Sequence, residues 1–391
     1  MREAGSADDA RPGLPAPAAH PGRDVRRRPA GRLLREAGRG LVAAVAAVLA
    51  MAGVAAAGLA LLGAGDLGAL TAAVVALAVG GSADVGAVPA GGLPVAVRGT
   101  IEVIPLSVSL AGAVVLAWLL LRRREGALLV RGAAAAVAFP LALGAFALAA
   151  RGTLPLSAGV PGGCVRSGGS PRLPTLDAVF SVSVGSAMSG ALIWTVLVLG
   201  GCWVLARFPV RARSVGWPAG GITVLCLTLA WAFGGPAAAG AVLLLLPQLV
   251  AGVLLLGLGV PWTVTTTGLL PCAPDLHPGG PASWVAAAVL LACGVAVRSR
   301  RPGSPVRRAV ASAVRLAPAT GGVLAVTALL ARASVDVSVG AFGLSLPVFA
   351  ARLTANPLLA LVAGLAGGAV AGLAGSLLAD GISVSSRAWK R

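Results

Sequence analysis

Long apolar runs separated by short polar segments dominate the chain from residue 41 onward. A helix needs about 20 apolar residues to cross the ~30 Å hydrocarbon core of a bilayer, and runs near this length recur. The pattern predicts an all-α polytopic membrane protein with about eight transmembrane helices. The predicted spans are Leu41–Gly63, Ile104–Leu121, Ala127–Ala150, Ser186–Ala206, Val215–Gly235, Ala282–Val297, Ala311–Ala331 and Asn356–Leu378.

Two further apolar runs are not counted as spans. Leu67–Gly81 would form a helix of only ~22 Å, which is too short to cross. Ala237–Val260 is long enough, but Pro247 and Gln248 lie at its centre, where proline interrupts the helix and a glutamine is costly in lipid. We interpret this run as a re-entrant or interfacial segment that breaks at Pro247 and Gln248. A kinked true span is the alternative that the sequence leaves open.

Four segments between the apolar runs have a different residue composition. They are rich in Val, Thr, Ser and Phe, and several alternate polar with apolar residues, which is typical of strands. They are TIEVIPLSVSL (100–110), LDAVFSVSVGSA (176–187), VPWTVTTTGLL (260–270) and VDVSVGAFGLSLP (335–347). We expect short strands or hairpins here that cap the helices, with irregular loops as the alternative.

Charge sets the orientation of the predicted helices. Only 11% of the residues are charged, against 57% hydrophobic, yet the net charge is +18. Five clusters at 1–40, 122–131, 207–213, 298–315 and 387–391 hold 25 of the 31 basic residues. Positive clusters beside spans lie in the cytoplasm, so both termini are predicted to be cytoplasmic and the strand segments extracytoplasmic. Nucleic acid is excluded as a partner, because the arginines lie between apolar runs and aromatic interleaving is lacking.

The clusters also divide the chain into units of similar length. The units are 41–124, 125–213, 214–308 and 309–381, each with an outward helix, an outer segment, an inward helix and a basic stop. Near-equal units indicate internal repetition. The first 40 residues have no apolar periodicity and are predicted to be a disordered basic cytoplasmic tail, and 382–391 a second basic tail.

Several stretches carry a resemblance to a known family. They are PLSVSLAGAVVLAWLL (105–120), VLARFPVRAR (204–213), GLGVPWTV (257–264) and VDVSVGAFGLSLP (335–347). In these stretches the chain resembles the streptophobe family, hydrophobic multi-pass membrane proteins of actinobacteria without an assigned activity. The resemblance implies the cytoplasmic membrane as the location and supplies no catalytic or binding residues.

The chain offers no recognisable catalytic, cofactor or metal motif. His20 and His277 are its only histidines, and it has no nucleophile elbow, zinc motif or phosphate-binding loop. The acidic residues lie outside the predicted spans, which argues against an ion-driven transporter. We therefore expect a structural or partner-binding envelope protein, not an enzyme, that works through its extracytoplasmic face. A facilitator or exporter of an apolar small molecule or lipid is the alternative.

Two residue sets are structural candidates. Cys164 and Cys272 lie in outer segments on the oxidising side, so a disulfide between them is one expectation and two free thiols the other. Gly364, Gly368 and Gly372 recur every four residues in the last span, which lets a partner helix approach closely. The stripe predicts a packing contact, either within the chain or between two copies.

Overall fold

The structure is a computed structural model that describes residues 29–87, 95–122, 128–156, 176–207, 212–268, 280–296, 304–341 and 344–388. Within these residues, helices alternate with strands. The helices are α1 (Pro29–Leu61), α2 (Leu67–Leu77), α3 (Leu106–Leu121), α4 (Leu128–Ala149), α5 (Val184–Arg207), α6 (Ala212–Gly257), α7 (Pro281–Ala296), α8 (Pro305–Leu330) and α9 (Pro357–Ala388). The strands are β1 (Ala83–Ala87), β2 (Val95–Val103), β3 (Arg151–Leu156), β4 (Leu176–Val182), β5 (Trp262–Gly268), β6 (Ala333–Ala341) and β7 (Leu344–Ala355).

Short polar side chains begin several of the helices. The side chain of Asp66 accepts a hydrogen bond from an amide in the first turn of α2, and Ser304 does the same for α8. The Asn356 side chain accepts from the amides of Leu358 and Leu359 at the start of α9. These caps satisfy amide groups that have no partner inside the helix, and they fix where α2, α8 and α9 begin.

Six helices of the described chain are long and apolar enough to cross a membrane. They are Leu33–Leu61, Leu128–Ala149, Val184–Val204, Thr223–Gly257, Val306–Leu330 and Pro357–Ala379. The predicted spans Ile104–Leu121 and Ala282–Val297 appear as α3 and α7, each of 16 residues. A 16-residue helix is about 24 Å long, which is why these two fall below a full crossing by length alone.

The first and last helices extend into the two predicted tails. Helix α1 begins at Pro29, so residues 29–40 of the predicted disordered tail are helical. Glu36 in this stretch pairs with Arg39 one turn later and with Arg131 of α4, and these bonds anchor the first turns of α1. At the other end α9 continues to Ala388, into the predicted tail 382–391.

Helix α6 is interrupted at a different place from the predicted one. Gly235 has a positive φ of 73° and is the one non-helical residue inside α6, whereas Pro247 and Gln248 lie within the helical segment. The predicted break at Pro247 and Gln248 is therefore corrected to Gly235. Its cause is local, because Pro236 disfavours helical geometry in the residue before it and glycine adopts a positive φ without a steric penalty.

The seven strands form one antiparallel sheet, so the strand prediction is confirmed. Their order is β3-β4-β1-β2-β6-β7-β5. The predicted segments supply the end of β2, all of β4 and β5, most of β6 and the start of β7, while β1 and β3 complete two hairpins. Residues 106–110 and 184–187 of these segments are instead the first turns of α3 and α5. Strands β2 and β6 pair over nine residues, from Val95 opposite Ala341 to Val103 opposite Ala333, and this pairing joins two halves of the molecule.

The helices form two bundles beneath the sheet. The first half (α1–α5, β1–β4) has a core around Met51, Leu116 and Phe139. The second half (α6–α9, β5–β7) has smaller clusters around Leu255 and Leu290. The part of α6 after Gly235 runs between them: Gly240 lies against Gly58 of α1, and Gly257 lies against Ala282 at the start of α7.

Candidate functional site

The sheet has one polar and one apolar face, because successive side chains of a strand point to opposite sides. The register places hydroxyl and charged residues of all seven strands on the same side. We call this side the polar sheet face; it comprises Asp84, Arg98, Thr100, Glu102, Arg151, Thr153, Ser181, Thr263, Thr265, Ser334, Asp336, Ser338, Arg352 and Thr354. Most of these residues are exposed, and the others are half-buried.

Charges of both signs are spread over the polar sheet face. Among the residues named above, three carboxylates and three guanidinium groups lie on β1, β2, β3, β6 and β7. The Ser334 hydroxyl lies 3.1 Å from Glu102 Oε2 and donates to it, and Thr263 and Thr354 are 2.9 Å apart through their hydroxyls. A surface of this composition presents alternating donors and acceptors, which suits a hydrogen-bonding partner better than a lipid tail.

The opposite face of the sheet rests on the ends of the helices. Phe180 and Val182 of β4 are buried against α2 and α4 in one apolar cluster. In the second half, Val260 and Ala355 are buried at the ends of strands β5 and β7 with Leu324 of α8. The sheet is therefore fixed to the helices by apolar contact, and its polar face is held out as a rigid surface.

A shallow groove crosses the polar sheet face over β2, β6 and β7. Its volume is about 130 Å³, and Arg98, Thr100, Asp336, Ser338 and Pro347 contribute to its walls. It lies where the pairing of β6 with β7 shifts register between Val337 and Ser338. A bulge of this kind bends the strand, which accounts for the depression in an otherwise regular sheet.

A larger cleft lies at the other end of the first half. Its volume is about 580 Å³ and it is lined by charged and apolar residues of α1, α3 and α4. We call it the arginine cleft; its walls carry Arg35, Arg39, Arg122 and Arg131, and its floor is Val42, Ala43, Leu119 and Leu120. Leu120 is fourteen residues along α3 from Leu106, which places the cleft about 20 Å from the sheet along the helix axis.

One acidic side chain organises the arginine cleft. The Glu36 carboxylate accepts hydrogen bonds from Arg131 Nε and from Arg39 Nη1, one on each oxygen. Arg131 is only 5% exposed. Helix α1 reaches it because Gly40 has no side chain; a Cβ there would lie 2.9 Å from Ala134 Cβ and would also meet the Arg131 backbone. At the rim, the Arg122 guanidinium lies 4.9 Å from the ring centre of Trp118.

The glycine stripe of α9 lies against α8. A Cβ on Gly364 would lie 2.7 Å from the Gly321 Cα, and one on Gly372 would lie 2.7 Å from the Ala313 Cα. A Cβ on Gly368 would meet the Thr320 hydroxyl and would lie 3.0 Å from the Ala317 Cα. The Thr320 hydroxyl donates to the Gly364 carbonyl at 2.7 Å and the Ser312 hydroxyl to the Gly372 carbonyl at 2.9 Å. The stripe is thus a contact within the chain.

The other sequence candidates are not brought together. Gln248 Nε2 donates to the Ile104 carbonyl just before α3, while its Oε1 is buried without a partner among the described residues. Gln248 lines neither the arginine cleft nor the groove. Cys164 and Cys272 lie outside the described residues, so their disulfide stays a prediction.

Sequence reasoning missed the arginine cleft. Its arginines were interpreted only as orientation signals, and Glu36 fell in a segment predicted to be disordered. The spacing of Glu36 and Arg39, one helical turn apart, was a signal of helix in that segment. No spacing rule could pair Glu36 with Arg131, since 95 residues separate them. No family model matches the chain, and neither a curated protein nor a solved structure shows significant similarity to it.

Proposed function

We propose that this chain is a non-catalytic integral protein of a bacterial cytoplasmic membrane that binds a partner through its polar sheet face. In this proposal eight helices cross the membrane in four repeated units, both termini are cytoplasmic, and the sheet lies on the extracytoplasmic side. The partner is an envelope component or another membrane protein. The resemblance to the streptophobe family belongs to the same proposal.

The strand order supports the repetition. Assigned to units, the sheet reads β3-β4 of the second unit, β1-β2 of the first, β6-β7 of the fourth and β5 of the third. At two junctions the second strand of one unit pairs with the first strand of the next, β4 with β1 and β2 with β6, and β7 pairs with β5, the one strand described in the third unit. A pairing rule that recurs in this way is expected when the units share an ancestral plan.

The distribution of arginine supports the orientation. At the end of the helices away from the sheet lie Arg35, Arg39, Arg122 and Arg131 in the first half. In the second half, α8 carries Arg307, Arg308 and Arg315 in its first turns, at its end remote from β6. Because basic residues collect on the cytoplasmic side, this distribution favours a sheet outside the cell.

The contacts of α6 support a segment that stays near the sheet after Gly235. Gly240 contacts the last turn of α1, Gln248 bonds to Ile104 before α3, and Gly257 contacts Ala282 at the start of α7. Each of these partners lies at the sheet end of its own helix. An interfacial path for this part of α6 keeps an even number of crossings, whereas a full crossing would move the cluster at 298–308 to the outer side.

The observation that carries the functional proposal is the polar sheet face itself. It spans seven strands, carries charges of both signs and rests on the helices below it through apolar contacts. A rigid, exposed surface of hydroxyl and charged groups gives a partner fixed hydrogen-bonding positions at a low entropic cost. If the chain is instead a transporter, substitutions near Gln248 should impair its function more than substitutions on the polar sheet face.

The test compares substitutions on the two sites in cells that lack the native gene. Asp84→Arg with Asp336→Arg should abolish the phenotype that wild-type complementation restores, at unchanged membrane expression. Ser181→Ala, a neutral change on the same face, serves as the matched control. Gln248→Leu should complement. If Gln248→Leu is the only variant that fails to complement, the polar sheet face is not the functional surface, and the result supports the transport alternative.

Orientation is tested separately by labelling single cysteines in a cysteine-free background. A membrane-impermeant maleimide added to intact cells should label Thr265→Cys and leave Arg301→Cys unlabelled until the cells are lysed. Labelling of Arg301→Cys in intact cells would contradict the proposed topology.

A further inference from the structure

The arginine cleft combines positively charged walls with an apolar floor. Its walls carry four guanidinium groups, two of which pair with the Glu36 carboxylate, and its floor is made of aliphatic side chains from α1 and α3. Arginine walls attract an anion, preferably one with several oxygens that accept paired N–H donors. An aliphatic floor attracts hydrocarbon. A ligand that satisfies both has an anionic head joined to an apolar chain.

We propose that the arginine cleft binds the phosphate headgroup of an anionic phospholipid from the leaflet opposite the sheet, with the upper acyl chain over the aliphatic floor. The cleft, at about 580 Å³, falls within the range of small-molecule sites. Arg35 and Arg122 lie at its exposed rim, where they meet the phosphate first. Trp118 beside Arg122 is of the residue type that settles at headgroup depth.

An ordinary explanation for arginines near helix ends is that their long side chains extend individually to the headgroup region. That explanation leaves the geometry of Arg131 unaccounted for. Arg131 is almost fully buried and fixed by Glu36, and Glu36 also holds Arg39. A carboxylate that orients two arginines towards one cleft sets the positions of their charges before any ligand arrives, and such preorganisation lowers the cost of binding.

Charge also favours a ligand over a purely structural cluster. Glu36 neutralises one of the four positive charges of the cleft, which leaves an excess of three among the described residues. Like charges that line one cleft repel one another, and a phosphodiester bound in the cleft reduces the repulsion. An inorganic phosphate would supply the same charge but would leave the exposed Val42 and the half-buried Leu119 uncovered, so the lipid is the better fit.

The experiment titrates the purified full-length chain in detergent with phosphatidylglycerol and follows the complex by native mass spectrometry. One phosphatidylglycerol should bind per chain with a defined dissociation constant, and phosphatidylcholine with the same acyl chains should bind far more weakly. Arg35→Gln with Arg122→Gln should weaken phosphatidylglycerol about 30-fold, since each arginine at an anionic headgroup contributes about 1 kcal/mol and 1.4 kcal/mol is tenfold.

Two further variants separate this site from general electrostatics. Arg307→Gln with Arg315→Gln removes the same charge from exposed positions on α8, outside the cleft, and should leave the affinity within about twofold. Val42→Trp fills the floor at an exposed position without a change of charge and should also weaken the lipid. Elution as a single monodisperse peak shows that each variant is folded.

Three outcomes would overturn the proposal. An equal loss in the α8 variant would mean that the whole basic end attracts lipid without a site. Equal binding of phosphatidylcholine would remove the role of the charge. Inorganic phosphate that displaces the lipid at low millimolar concentration, together with an unaffected Val42→Trp variant, would identify the ligand as free phosphate.

Discussion

Helices α8 and α9 touch backbone to backbone, whereas α1 and α3 touch through a flexible side chain. In the second half, a Cβ on Gly372 would lie 2.7 Å from the Ala313 Cα and 2.8 Å from its nitrogen. In the first half, a Cβ on Gly112 would instead meet Met51, at 2.6 Å from the Sδ and 2.7 Å from the Cγ. These two glycines thus face a rigid backbone at the α8–α9 contact and a flexible side chain at the α1–α3 contact.

This difference shows two ways to hold helices together where the surroundings are as apolar as the core. In lipid, association depends on close packing and on hydrogen bonds between helices, because apolar side chains gain little by leaving the hydrocarbon. The second half uses close backbone approach and two hydroxyl-to-carbonyl bonds. The first half fills its interior with large side chains, among them Phe139, which stacks on Trp194 at 4.7 Å.

The largest effect is expected at the backbone contact. Gly372→Leu should prevent folding, because its side chain would have to occupy the space of the Ala313 backbone. Overpacking of this kind costs about 3 kcal/mol or more when the neighbour is backbone. Size-exclusion chromatography in detergent should show aggregate in place of a monodisperse peak.

The matched control is Gly322→Leu on α8, where a Cβ has open space around it, and it should elute as the wild type does. Alanine substitutions test whether the α8–α9 and α1–α3 interfaces differ in rigidity. Gly372→Ala should destabilise clearly, and Gly112→Ala by less than about 1 kcal/mol because Met51 has three rotatable bonds and can move aside. Equal losses would show that the two interfaces do not differ in rigidity.

The next effect concerns the side-chain packing of the first half. Phe139 is fully buried and its ring stacks on Trp194. Phe139→Ala should lower the free energy of unfolding by about 2 to 3 kcal/mol, mostly from the cavity, since transfer to lipid contributes little. Denaturation with SDS in mixed micelles, followed by tryptophan fluorescence, measures this value. Phe139→Leu should recover most of the loss; if it does not, aromatic stacking, and not volume, stabilises the site.

Much of the fold followed from periodicity in the sequence, and the exceptions have physical causes. The alternation in VDVSVGAFGLSLP predicted β6 because one side of that strand is polar and the other apolar. Strand β3 carries Pro155 in only six residues and β1 has five, so neither shows a clear period. These short strands form because the longer strands beside them supply the pairing. Local sequence carries no signal for such pairing.

The break in α6 and the arginine cleft show two further limits. A Gly-Gly-Pro run at 234–236 marks the break in α6, but in a chain with 55 glycines it did not stand out beside Pro247. Pro247 lies in regular helix, because a proline removes only one backbone hydrogen bond. In a membrane, neighbouring helices can satisfy the backbone group that this frees. The arginine cleft depends on Glu36 meeting Arg131, and only tertiary structure makes that contact.

A smaller effect isolates the bond between α8 and α9. Thr320→Val keeps the shape of the side chain but removes the hydrogen bond to the Gly364 carbonyl. Hydrogen bonds between membrane helices average about 0.6 kcal/mol and reach about 1.7 kcal/mol, so a loss near 1 kcal/mol is expected in the SDS assay. Thr327→Val is the matched control, because the Thr327 hydroxyl bonds only to carbonyls of its own helix. If both variants lose the same amount, the bond across the interface contributes nothing.

The smallest effect is expected where the two halves meet at Gln248. Its Nε2 donates to the Ile104 carbonyl, which is a favourable contact, but its Oε1 is buried and has no partner in the described part of the chain, which is an unfavourable one. Gln248→Leu removes both, so the gain from losing a buried unpaired oxygen offsets most of the lost bond. The free energy of unfolding should change by less than about 0.5 kcal/mol in the same assay. A loss of 2 kcal/mol would instead show that this bond couples the halves and that Oε1 does have a partner. If the stability of Gln248→Leu changes as little as expected, its failure to complement in cells could not be attributed to misfolding. Such a failure would support the transport alternative. Stability and complementation together therefore decide whether the polar sheet face or the region around Gln248 is required for function.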